Sequence, residues 1–280
     1  QQIVRINELK LKFFTNISHD LRTPLTLIMA PLQVLLDEVK DEPTRKKLLT
    51  IFSNARRLLD LINTLLDFRK LDVGAEGLHC RKDDIMRFIS EQCALFTDYA
   101  ANRNMDFTAE CDPSGYMMDF DSAKVGKVLN NLLSNAFKYT PDGGSVSVKA
   151  TLKDRDLIIR IADSGQGISP EAKKHIFERF YQGEQGNHKT GSGIGLHIAN
   201  EYARMHGGDI SVSDNQPKGS VFTLTLPVDG CSAQSDPEKT SGASGTPAEP
   251  PAPENTSEES SAADSPATIL IVDDNMIAIS

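Results

Sequence analysis

Regular spacing of apolar residues over the first 72 positions, a stretch without glycine, is the feature that most constrains the fold. Between residues 14 and 39 the apolar positions recur every three or four residues, which places them on one face of a helix. They are Phe14, Ile17, Leu21, Leu25, Ile28, Leu32, Leu35 and Val39. After an acidic, proline-containing break at residues 41–43, a second set follows: Leu48, Phe52, Ala55, Leu59, Ile62 and Leu66. We predict two long helices joined by a short turn.

A single helical hairpin cannot bury both of these apolar faces. Pairing of two hairpins into a four-helix bundle would cover them, so we expect a homodimer.

His19 lies in the first predicted helix but off its apolar face. It is two residues from both Ile17 and Leu21, a rotation of about 200° around the helix, so its ring should point away from the core. A lone exposed histidine is usually an ordinary surface residue. Here the adjacent Asp20 can accept a hydrogen bond from one ring nitrogen and leave the other nucleophilic. Thr23 lies one turn later on the same face.

Pro24 follows in the same predicted helix, where it removes a backbone donor and favours a bend. A bend beside an exposed histidine would act as a hinge that couples residues 1–13 to the accessibility of His19. Tolerated local irregularity is the other explanation. Comparison of Pro24→Ala with the wild type would separate the two.

Residues 76–228 alternate between helical and strand-like patterns, which predicts an α/β sandwich domain. The predicted strands lie near 77–82, 106–111, 116–119, 145–152, 156–163, 209–214 and 220–226. The predicted helices lie near 83–103, 121–139, 170–177 and 195–206.

The C-terminal part changes character again. Residues 231–266 contain seven acids, one base and hardly any large apolar side chain, so they cannot offset their ordering entropy by burial and we expect a disordered linker. The sequence ATILIVDDN, residues 267–275, predicts a buried strand that ends at Asp273 and Asp274. Paired carboxylates there suit Mg²⁺, and an ordinary acidic turn fits these nine residues equally well.

Composition narrows the classes of function. A net charge of −9 argues against a surface for nucleic acid. The four cysteines, at positions 80, 93, 111 and 231, lack metal-binding spacing, so we interpret them as incidental thiols of a reducing compartment. There is no signal peptide and no apolar run long enough to cross a membrane. Both ends interrupt a pattern, so we expect a longer parent protein.

Two stretches of the predicted α/β domain carry polar residues suited to nucleotide binding. NNLLSNAFKYT, residues 130–140, puts Asn131, Asn135 and Lys138 on one helix face, with Tyr139 close by. An amide oxygen suits Mg²⁺ and a lysine suits phosphate, although a polar outer helix face is the simpler explanation. In ADSGQGIS, residues 162–169, Asp163 ends a strand before two glycines. Its carboxylate can accept from an amino group such as that of adenine, unless the stretch is only a turn.

A third stretch, TGSGIGL at residues 190–196, precedes a predicted helix whose N-terminus favours phosphate. It matches neither the P-loop nor the dinucleotide fingerprint, but its three alternate glycines suit a mobile lid. IFERFYQ, residues 176–182, is expected to pack beneath that lid or in the core. Each stretch alone is a weak indication, whereas their order and spacing together are a strong one.

Taken together, the chain resembles the sensor histidine kinases of the hybrid two-component type. FFTNISHDLRTPL is similar to their H box, LNNLLSNAFKYT to the N box, DSGQGI and TGSGIGL to the two glycine boxes, and IFERFYQ to the F box. ILIVDDN resembles the first strand of a receiver domain. The wording TNISHDLRTPLTLIMAPL is similar to gut-bacterial hybrid sensors that detect carbohydrates.

The resemblance implies a fold class of α plus α/β. A dimerisation and phosphotransfer hairpin at 1–73, forming a four-helix bundle, would precede a GHKL-type α/β sandwich that binds ATP at 76–228. A disordered acidic linker would follow at 229–266, and a truncated receiver start at 267–280.

Residue roles follow from the same resemblance. His19 would be phosphorylated by ATP, Asp20 would take its proton, and Thr23 would position water for dephosphorylation of a receiver. Asn135 would hold Mg²⁺, and Asp163 would bind the adenine amino group. The remaining ATP-binding positions would be Asn131, Lys138, Tyr139, Gly165, Gly167, Gly191, Gly193, Gly195 and Leu196.

The implied function is autophosphorylation followed by transfer to a receiver aspartate, in the full-length chain or in a separate response regulator. The implied location is the cytoplasmic part of an inner-membrane bacterial sensor. The acceptor aspartate is not in this sequence, so the chain should not complete the relay within itself. The alternatives are a GHKL-type ATPase and a non-catalytic dimeric scaffold. Related ATPases place a water-activating glutamate where Asn131 stands, which argues against hydrolysis.

Overall fold

The computed structural model describes residues 2–73, 76–182 and 192–231, with the backbone alone for residues 2–16, 18 and 19. Its N-terminal part is the predicted hairpin, in which α1 (Gln2–Glu38) packs against α2 (Glu42–Asp72). The Asp41 side chain caps α2 by accepting a hydrogen bond from the Thr44 amide at 3.0 Å. Pro43 stands in the first turn of α2, where a missing backbone donor costs little.

The predicted apolar stripe of α1 divides into two faces with seven-residue spacing. One face is buried or half-buried in the hairpin and contains Leu25, Leu32 and Val39. The other remains 43–49% exposed and contains Leu21, Ile28 and Leu35. On α2 the predicted stripe is covered, while a neighbouring set is exposed: Ile51, Leu58 and Leu65. Each helix therefore keeps a second apolar stripe that the hairpin itself does not cover.

Helix α1 continues through Pro24 and Pro31 without a break in its helical assignment. Arg22 links the two helices, because its guanidinium donates to the Asn63 side-chain oxygen at 2.7 Å. Within the described ranges, none of the helices has the combination of length and apolarity that a bilayer crossing requires.

Residues 76–231 contain the elements of the predicted α/β domain. The strands are β1 (Arg81–Asp84), β2 (Asp106–Asp112), β3 (Met117–Phe120), β4 (Ser145–Lys153), β5 (Asp156–Asp163), β6 (Asp209–Asp214) and β7 (Ser220–Pro227). The helices are α3 (Ile85–Ala94), α4 (Thr97–Asn102), α5 (Ser122–Tyr139), α6 (Pro170–His175) and α7 (Gly195–Met205).

Five strands form a mixed sheet in the order β2-β4-β5-β7-β6. Strands β2 and β4 are parallel, and the other neighbours are antiparallel. Strands β1 and β3 form a separate antiparallel pair. Along β4 the side chains of Val146, Val148 and Ala150 are buried and alternate with exposed ones, so helices cover one face of the sheet. The two-layer α/β sandwich confirms the predicted fold class.

Helix α5 supplies the centre of the core. Leu129, Leu132 and Leu133 are fully buried on its inner side. Near its C-terminal end, Phe137 stacks on Phe96 with ring centroids 5.3 Å apart. The inner side of α5 is thus fixed by packing, while its outer side carries polar residues.

Two predicted elements differ from the structure. The helix predicted over 83–103 is divided into α3 and α4 at residues 95–96, because Phe96 turns inward to stack on Phe137. The strand predicted near 77–82 is β1 at Arg81–Asp84. The residues before it are bound elsewhere: the His79 amide donates to Asp121 Oδ2 at 2.9 Å.

Cys80 and Cys231 form a disulfide across a sequence separation of 151 residues. The prediction that all four cysteines are incidental thiols is therefore wrong for this pair. The segment before β1 and the turn after β7 meet only in the folded domain, so cysteine spacing could not indicate the bond. Cys93 and Cys111 are free thiols, and burial raises the pKa of Cys93 to about 12, as expected for an unreactive core thiol.

Helix α2 also contacts the α/β domain around the buried side chain of Phe68. The Phe68 ring lies 5.7 Å from the Phe180 ring and 6.0 Å from the His197 ring, measured between centroids. Two ion pairs flank it, Lys127–Asp67 at 2.6 Å and Arg179–Asp72 at 2.7 Å. We call these seven residues the α2 docking contact.

Candidate functional site

The outer side of α5 carries four of the predicted nucleotide-binding residues on its C-terminal half. Asn131 and Asn135 are half-buried, whereas Lys138 and Tyr139 are exposed at the end of the helix. The Lys138 ammonium lies 4.8 Å from the centroid of the Tyr139 ring, within the range of a cation–π contact. The structure therefore brings these residues together as predicted.

Asn131 connects α5 to the N-terminus of α7. Its side-chain amide donates to the Lys127 carbonyl at 2.8 Å. A side chain at position 195 would collide with the Asn131 Oδ1 atom, so the absence of one at Gly195 allows this close approach. Two predicted residues that are far apart in sequence, Asn131 and Gly195, thus lie in contact.

Asp163 ends β5 with a buried and oriented carboxylate. Its Oδ1 accepts hydrogen bonds from the amides of Gly165 at 2.8 Å and Ser220 at 3.3 Å. Burial raises the pKa of Asp163, and the two amide donors oppose that rise. The side chain is held in one direction and is little hydrated, which suits an acceptor that recognises a single donor group.

Gly165 joins Asp163 to the end of α5. A Cβ atom at this position would come within 2.5 Å of the Tyr139 carbonyl oxygen and 2.8 Å of Asp163 Oδ1, so no side chain fits. Gly167 adopts a φ of +81°, which favours glycine. The first glycine therefore serves the packing of the loop against α5, a reason that the sequence pattern did not reveal.

A cavity of about 350 Å³ opens beside this junction. Its lining residues are Arg103, Lys138, Tyr139, Thr140, Pro141, Ser164, Gly165, Gln166 and Lys218. Three of them are cationic and none is acidic, which favours an anionic ligand. Arg103, Gln166 and Lys218 were not predicted, because the first and last come from segments distant in sequence from every recognised motif.

The C-terminal end of the predicted lid lies on the IFERFYQ segment. Gly193 has a φ of +70°, and a Cβ atom there would come within 2.8 Å of the Phe180 carbonyl carbon and the Tyr181 carbonyl oxygen. Leu196 packs half-buried against the core. Phe180 is itself 60% exposed and also belongs to the α2 docking contact, so this segment touches the lid end and the hairpin at once. Gly191 lies outside the described residues.

The described part of the site offers an amide oxygen rather than a cluster of charged side chains as a metal ligand. In the described ranges there is no group of three or more His, Cys, Asp or Glu side chains that could hold a metal ion. A single amide oxygen, as at Asn135, fits a cation that takes most of its ligands from phosphate and water, which is the habit of Mg²⁺.

The predicted phosphoacceptor lies on α1. The backbone of His19 is helical, but its side chain lies outside the described residues, so its outward orientation stays a prediction. Asp20 and Thr23 are exposed on the same helix. The continuous helix places Thr23 one turn after His19.

Sequence reasoning missed a buried polar cluster at the N-terminal end of α5. Lys124 Nζ lies 3.0 Å from Asp121 Oδ2 and 3.8 Å from Glu76 Oε1. The Asp121 amide donates to His206 Nε2 at 3.2 Å, so Nδ1 carries the proton and donates to the Tyr202 carbonyl at 2.7 Å. Burial lowers the pKa of His206. The cluster anchors residues 76–80 to the base of the helix that carries the site.

Two family profiles match the chain. Residues 9–74 match the His Kinase A (phospho-acceptor) domain, which covers the hairpin. Residues 120–230 match the Histidine kinase-, DNA gyrase B-, and HSP90-like ATPase, which covers the part of the domain that carries the site.

Curated relatives agree with these profiles. Histidine kinase P4 of Formosa agariphila is 44% identical over 234 residues, covering 81% of this chain and 17% of the relative. Sensor histidine kinase TmoS of Ectopseudomonas mendocina is 37% identical over 235 residues, covering 81% and 24%. Sensor protein EvgS of Escherichia coli is 32% identical over 227 residues, covering 79% and 19%. The chain thus spans less than a quarter of each of these three proteins.

Solved structures share the architecture. Full-length ShkA in complex with AMPPNP superposes with a TM-score of 0.65 at 25% identity, over 77% of this chain and 45% of that one. Histidine kinase ThkA in complex with response regulator protein TrrA gives a TM-score of 0.56 at 24% identity, over 81% and 65%, which supports the fold alone.

Proposed function

This chain belongs to the histidine kinase family, and we propose that it is a sensor kinase core that transfers the γ-phosphoryl group of ATP to His19 and then to a receiver aspartate. The observation that carries the proposal is the meeting of Asp163, Gly165 and Tyr139 at one end of α5, beside a cationic cavity. An oriented carboxylate next to cations suits a ligand with an amino group at one end and phosphates at the other.

Asp163 would recognise the adenine ring. Two amides occupy its Oδ1 atom, and we assign its second oxygen, Oδ2, to the exocyclic amino group. Tyr139 and Lys138 would then lie along the ribose and phosphates. The structural neighbour that binds AMPPNP supports a nucleotide in this kind of domain.

Asn135 would hold Mg²⁺ through its amide oxygen. The ion, when bound, would neutralise charge on the phosphates during transfer. Lys138, one turn further along α5, would add a second positive charge on the same side. The protein would contribute positioning and charge here rather than covalent chemistry.

His19 would act as the nucleophile. One imidazole nitrogen would form a bond to the γ-phosphorus, the bond from that phosphorus to the bridging oxygen of ADP would break, and Asp20 would accept the ring proton. Thr23, one helical turn away, would position water when the receiver is dephosphorylated.

The contact of Asn131 supports transfer over hydrolysis. Its Nδ2 donates to the Lys127 carbonyl and its Oδ1 lies against Gly195. An amide in this position cannot deprotonate water, which a hydrolase of the same fold would need. An ATPase is therefore the less favoured function. A scaffold without catalysis is less favoured because the domain has an oriented Asp163 carboxylate beside a cationic cavity.

A second copy of the chain would cover the two exposed stripes of the hairpin. These stripes, Leu21, Ile28 and Leu35 with Ile51, Leu58 and Leu65, have the seven-residue spacing of helix–helix seams. Their burial in a four-helix bundle would account for apolar side chains that the monomer leaves in water.

The wider context is also part of the proposal. The chain would divide into the hairpin at 1–73, the ATP-binding domain at 76–228, a linker at 229–266 and the first residues of a receiver domain at 267–280, as in a hybrid kinase. Residues 232–280 lie outside the described residues. A hybrid signal transduction histidine kinase of Dictyostelium discoideum, 37% identical over 81% of this chain, supports a receiver as partner. We place the core on the cytoplasmic side of a bacterial inner-membrane sensor.

Incubation with radiolabelled ATP tests the proposal. We expect acid-labile, base-stable label on the wild-type chain, none on His19→Ala, and normal label on His79→Ala, which removes another exposed histidine. Release of free phosphate without labelled protein would instead indicate an ATPase, and neither product would indicate a scaffold.

A further inference from the structure

Arg103, at the end of α4, reaches across to the last turn of α5. Its Nη1 donates to the Phe137 carbonyl at 2.6 Å, and its Nη2 donates to the Thr140 carbonyl at 3.0 Å. Its Nε donates to Asp142 Oδ1 at 2.7 Å. A single planar group thus binds both the end of α5 and the turn that follows.

The end of a helix needs such a partner. Its final carbonyls lack donors within the helix, and they form the negative end of the helix dipole. The Thr140 amide and hydroxyl both bond to the Ala136 carbonyl, at 3.1 and 2.7 Å. Arg103 supplies charged donors for the carbonyls of Phe137 and Thr140, and a guanidinium fork fixes their direction as well as their distance.

The last turn of α5, which Arg103 holds in this way, is part of the candidate site. Lys138 and Tyr139 lie on it, and the Tyr139 carbonyl is in contact with Gly165 of the loop that carries Asp163. Arg103 lines the same cavity as Lys138, Tyr139 and Gly165. A displacement of the last turn of α5 would therefore change the distance between the residues proposed for the phosphates and the carboxylate proposed for adenine.

We propose that Arg103 is a positioning residue for nucleotide binding, an inference that rests on the proposed function of this site. It holds the last turn of α5 against the Asp163 loop, so that Lys138 and Tyr139 meet the nucleotide in one fixed arrangement. Each of its three nitrogens donates one hydrogen bond within the protein, and the effect that we assign to Arg103 is exerted through the two carbonyls.

Arg103 makes an ion pair with a side chain and hydrogen bonds to backbone carbonyls, and these two kinds of interaction should differ in strength. The Asp142 side chain is 73% exposed, so its ion pair with Arg103 is a surface pair of small effect. The carbonyls of Phe137 and Thr140 are part-buried partners at a helix end. Loss of the guanidinium should therefore matter much more than loss of the Asp142 charge.

Binding of Mg·ADP to the full chain tests the inference, measured by calorimetry well below the melting temperature of each variant. We expect Arg103→Met to weaken binding about tenfold, and Arg103→Lys, a point charge without the fork, to fall between it and the wild type. Asp142→Asn should bind like the wild type. Arg155→Met is the matched control, because Arg155 pairs with Asp229 at the opposite end of β5 from Asp163.

A KM for ATP that rises in Arg103→Met while kcat for autophosphorylation changes little would support positioning of the nucleotide. A lower melting temperature with unchanged Mg·ADP affinity would overturn the inference and leave Arg103 a purely structural cap. Equal weakening by Asp142→Asn would also overturn it, since the helix end would then not be the target. If the wild-type chain itself bound no ADP, the result would contradict the proposed function of the site and not only the role of Arg103.

Discussion

Phe68 on the hairpin and Phe180 on the α/β domain meet edge to face, with ring centroids 5.7 Å apart. Phe180 holds a φ of 61°, a backbone conformation that is uncommon for a residue with a side chain. The carbonyl of the same residue lies against Gly193 at the end of the lid segment. Phe180 therefore contacts both helix α2 of the hairpin and the end of the loop that is expected to close over a nucleotide.

Replacement of Phe68 by alanine should release the α/β domain from the hairpin. Phe68 is 5% exposed, and truncation of a buried phenylalanine costs about 3–5 kcal/mol. The flanking ion pairs are partly exposed and too weak to hold the contact alone. We expect faster proteolysis between residues 72 and 76 and a larger radius of gyration by X-ray scattering. Leu27→Ala, on an exposed side chain of α1, should change neither quantity.

The exchange of Asp163 for asparagine should alter which base the site prefers. The change replaces an acceptor by a group that can also donate, and loss of a hydrogen bond to a charged group should weaken ATP binding about 10- to 100-fold. Inosine triphosphate presents a carbonyl where adenine has its amino group, so the variant should lose less affinity for it. Competition titrations of both nucleotides would measure this. Asp209→Asn, on an exposed strand residue, is the control.

Much of this architecture could be predicted from the sequence. Apolar periodicity predicted both long helices and six of the seven strands close to their observed positions, because most of these elements bury one face against a neighbour. Strand β1, whose side chains are mostly exposed, begins at Arg81 and not near residue 77. The break between α3 and α4 was not predictable, since it depends on the stacking of Phe96 on Phe137 in the folded core. Likewise, Asp163 and Tyr139 were identified separately, but their junction through Gly165 exists only in three dimensions.

Residues that act through distant partners were missed for the same reason. Arg103 resembles any other charged residue at the end of a helix until its carbonyl partners are known. The bond between Cys80 and Cys231 joins segments that no local pattern relates.

His206 should make the stability of the domain depend on pH. Burial lowers its pKa from the ordinary value of 6.5, so the unfolded chain takes up a proton at a higher pH than the folded chain does. The stability that His206 contributes should be fully present above pH 6.5, and up to about 1.4 kcal/mol per pH unit of it should be lost as pH falls from there to the lowered folded pKa.

Denaturant unfolding of the wild type and of His206→Gln between pH 8 and 5 would measure this contribution, at about half-unit steps. The stability difference between the two proteins should be largest above pH 6.5 and should shrink towards acid, because the variant has no proton to take up. A difference that stays constant with pH would contradict the assignment.

Reduction of the Cys80–Cys231 bond should destabilise the domain. The bond closes a loop across 151 residues, for which chain entropy alone gives about 5 kcal/mol as an upper figure. We expect a lower melting temperature on addition of dithiothreitol, and the same lower value for Cys80→Ser with or without the reductant. Cys111→Ser, which removes a free thiol, should respond to the reductant as the wild type does.

A charge placed on the exposed stripes of the hairpin should prevent pairing of two copies. Ile28→Glu combined with Leu58→Glu would bury two carboxylates in the proposed bundle seam, which should raise the dimer dissociation constant on the order of 100-fold or more. Sedimentation equilibrium would measure it. Leu95→Glu, at an exposed position of the α/β domain, should leave the association unchanged, and a dimer that survives the double change would contradict the bundle.

The bond between Cys80 and Cys231 also determines where the polypeptide passes into and out of the α/β domain. The two Cα atoms are 6.1 Å apart, so the entry and exit points of the domain nearly coincide. The linker of any module fused after Cys231 would therefore begin close to the point where the chain from the hairpin enters the α/β domain, and not at the far side of the sheet. Lengthening or shortening that linker would change the local concentration of the module around the hairpin while leaving the kinase domain untouched.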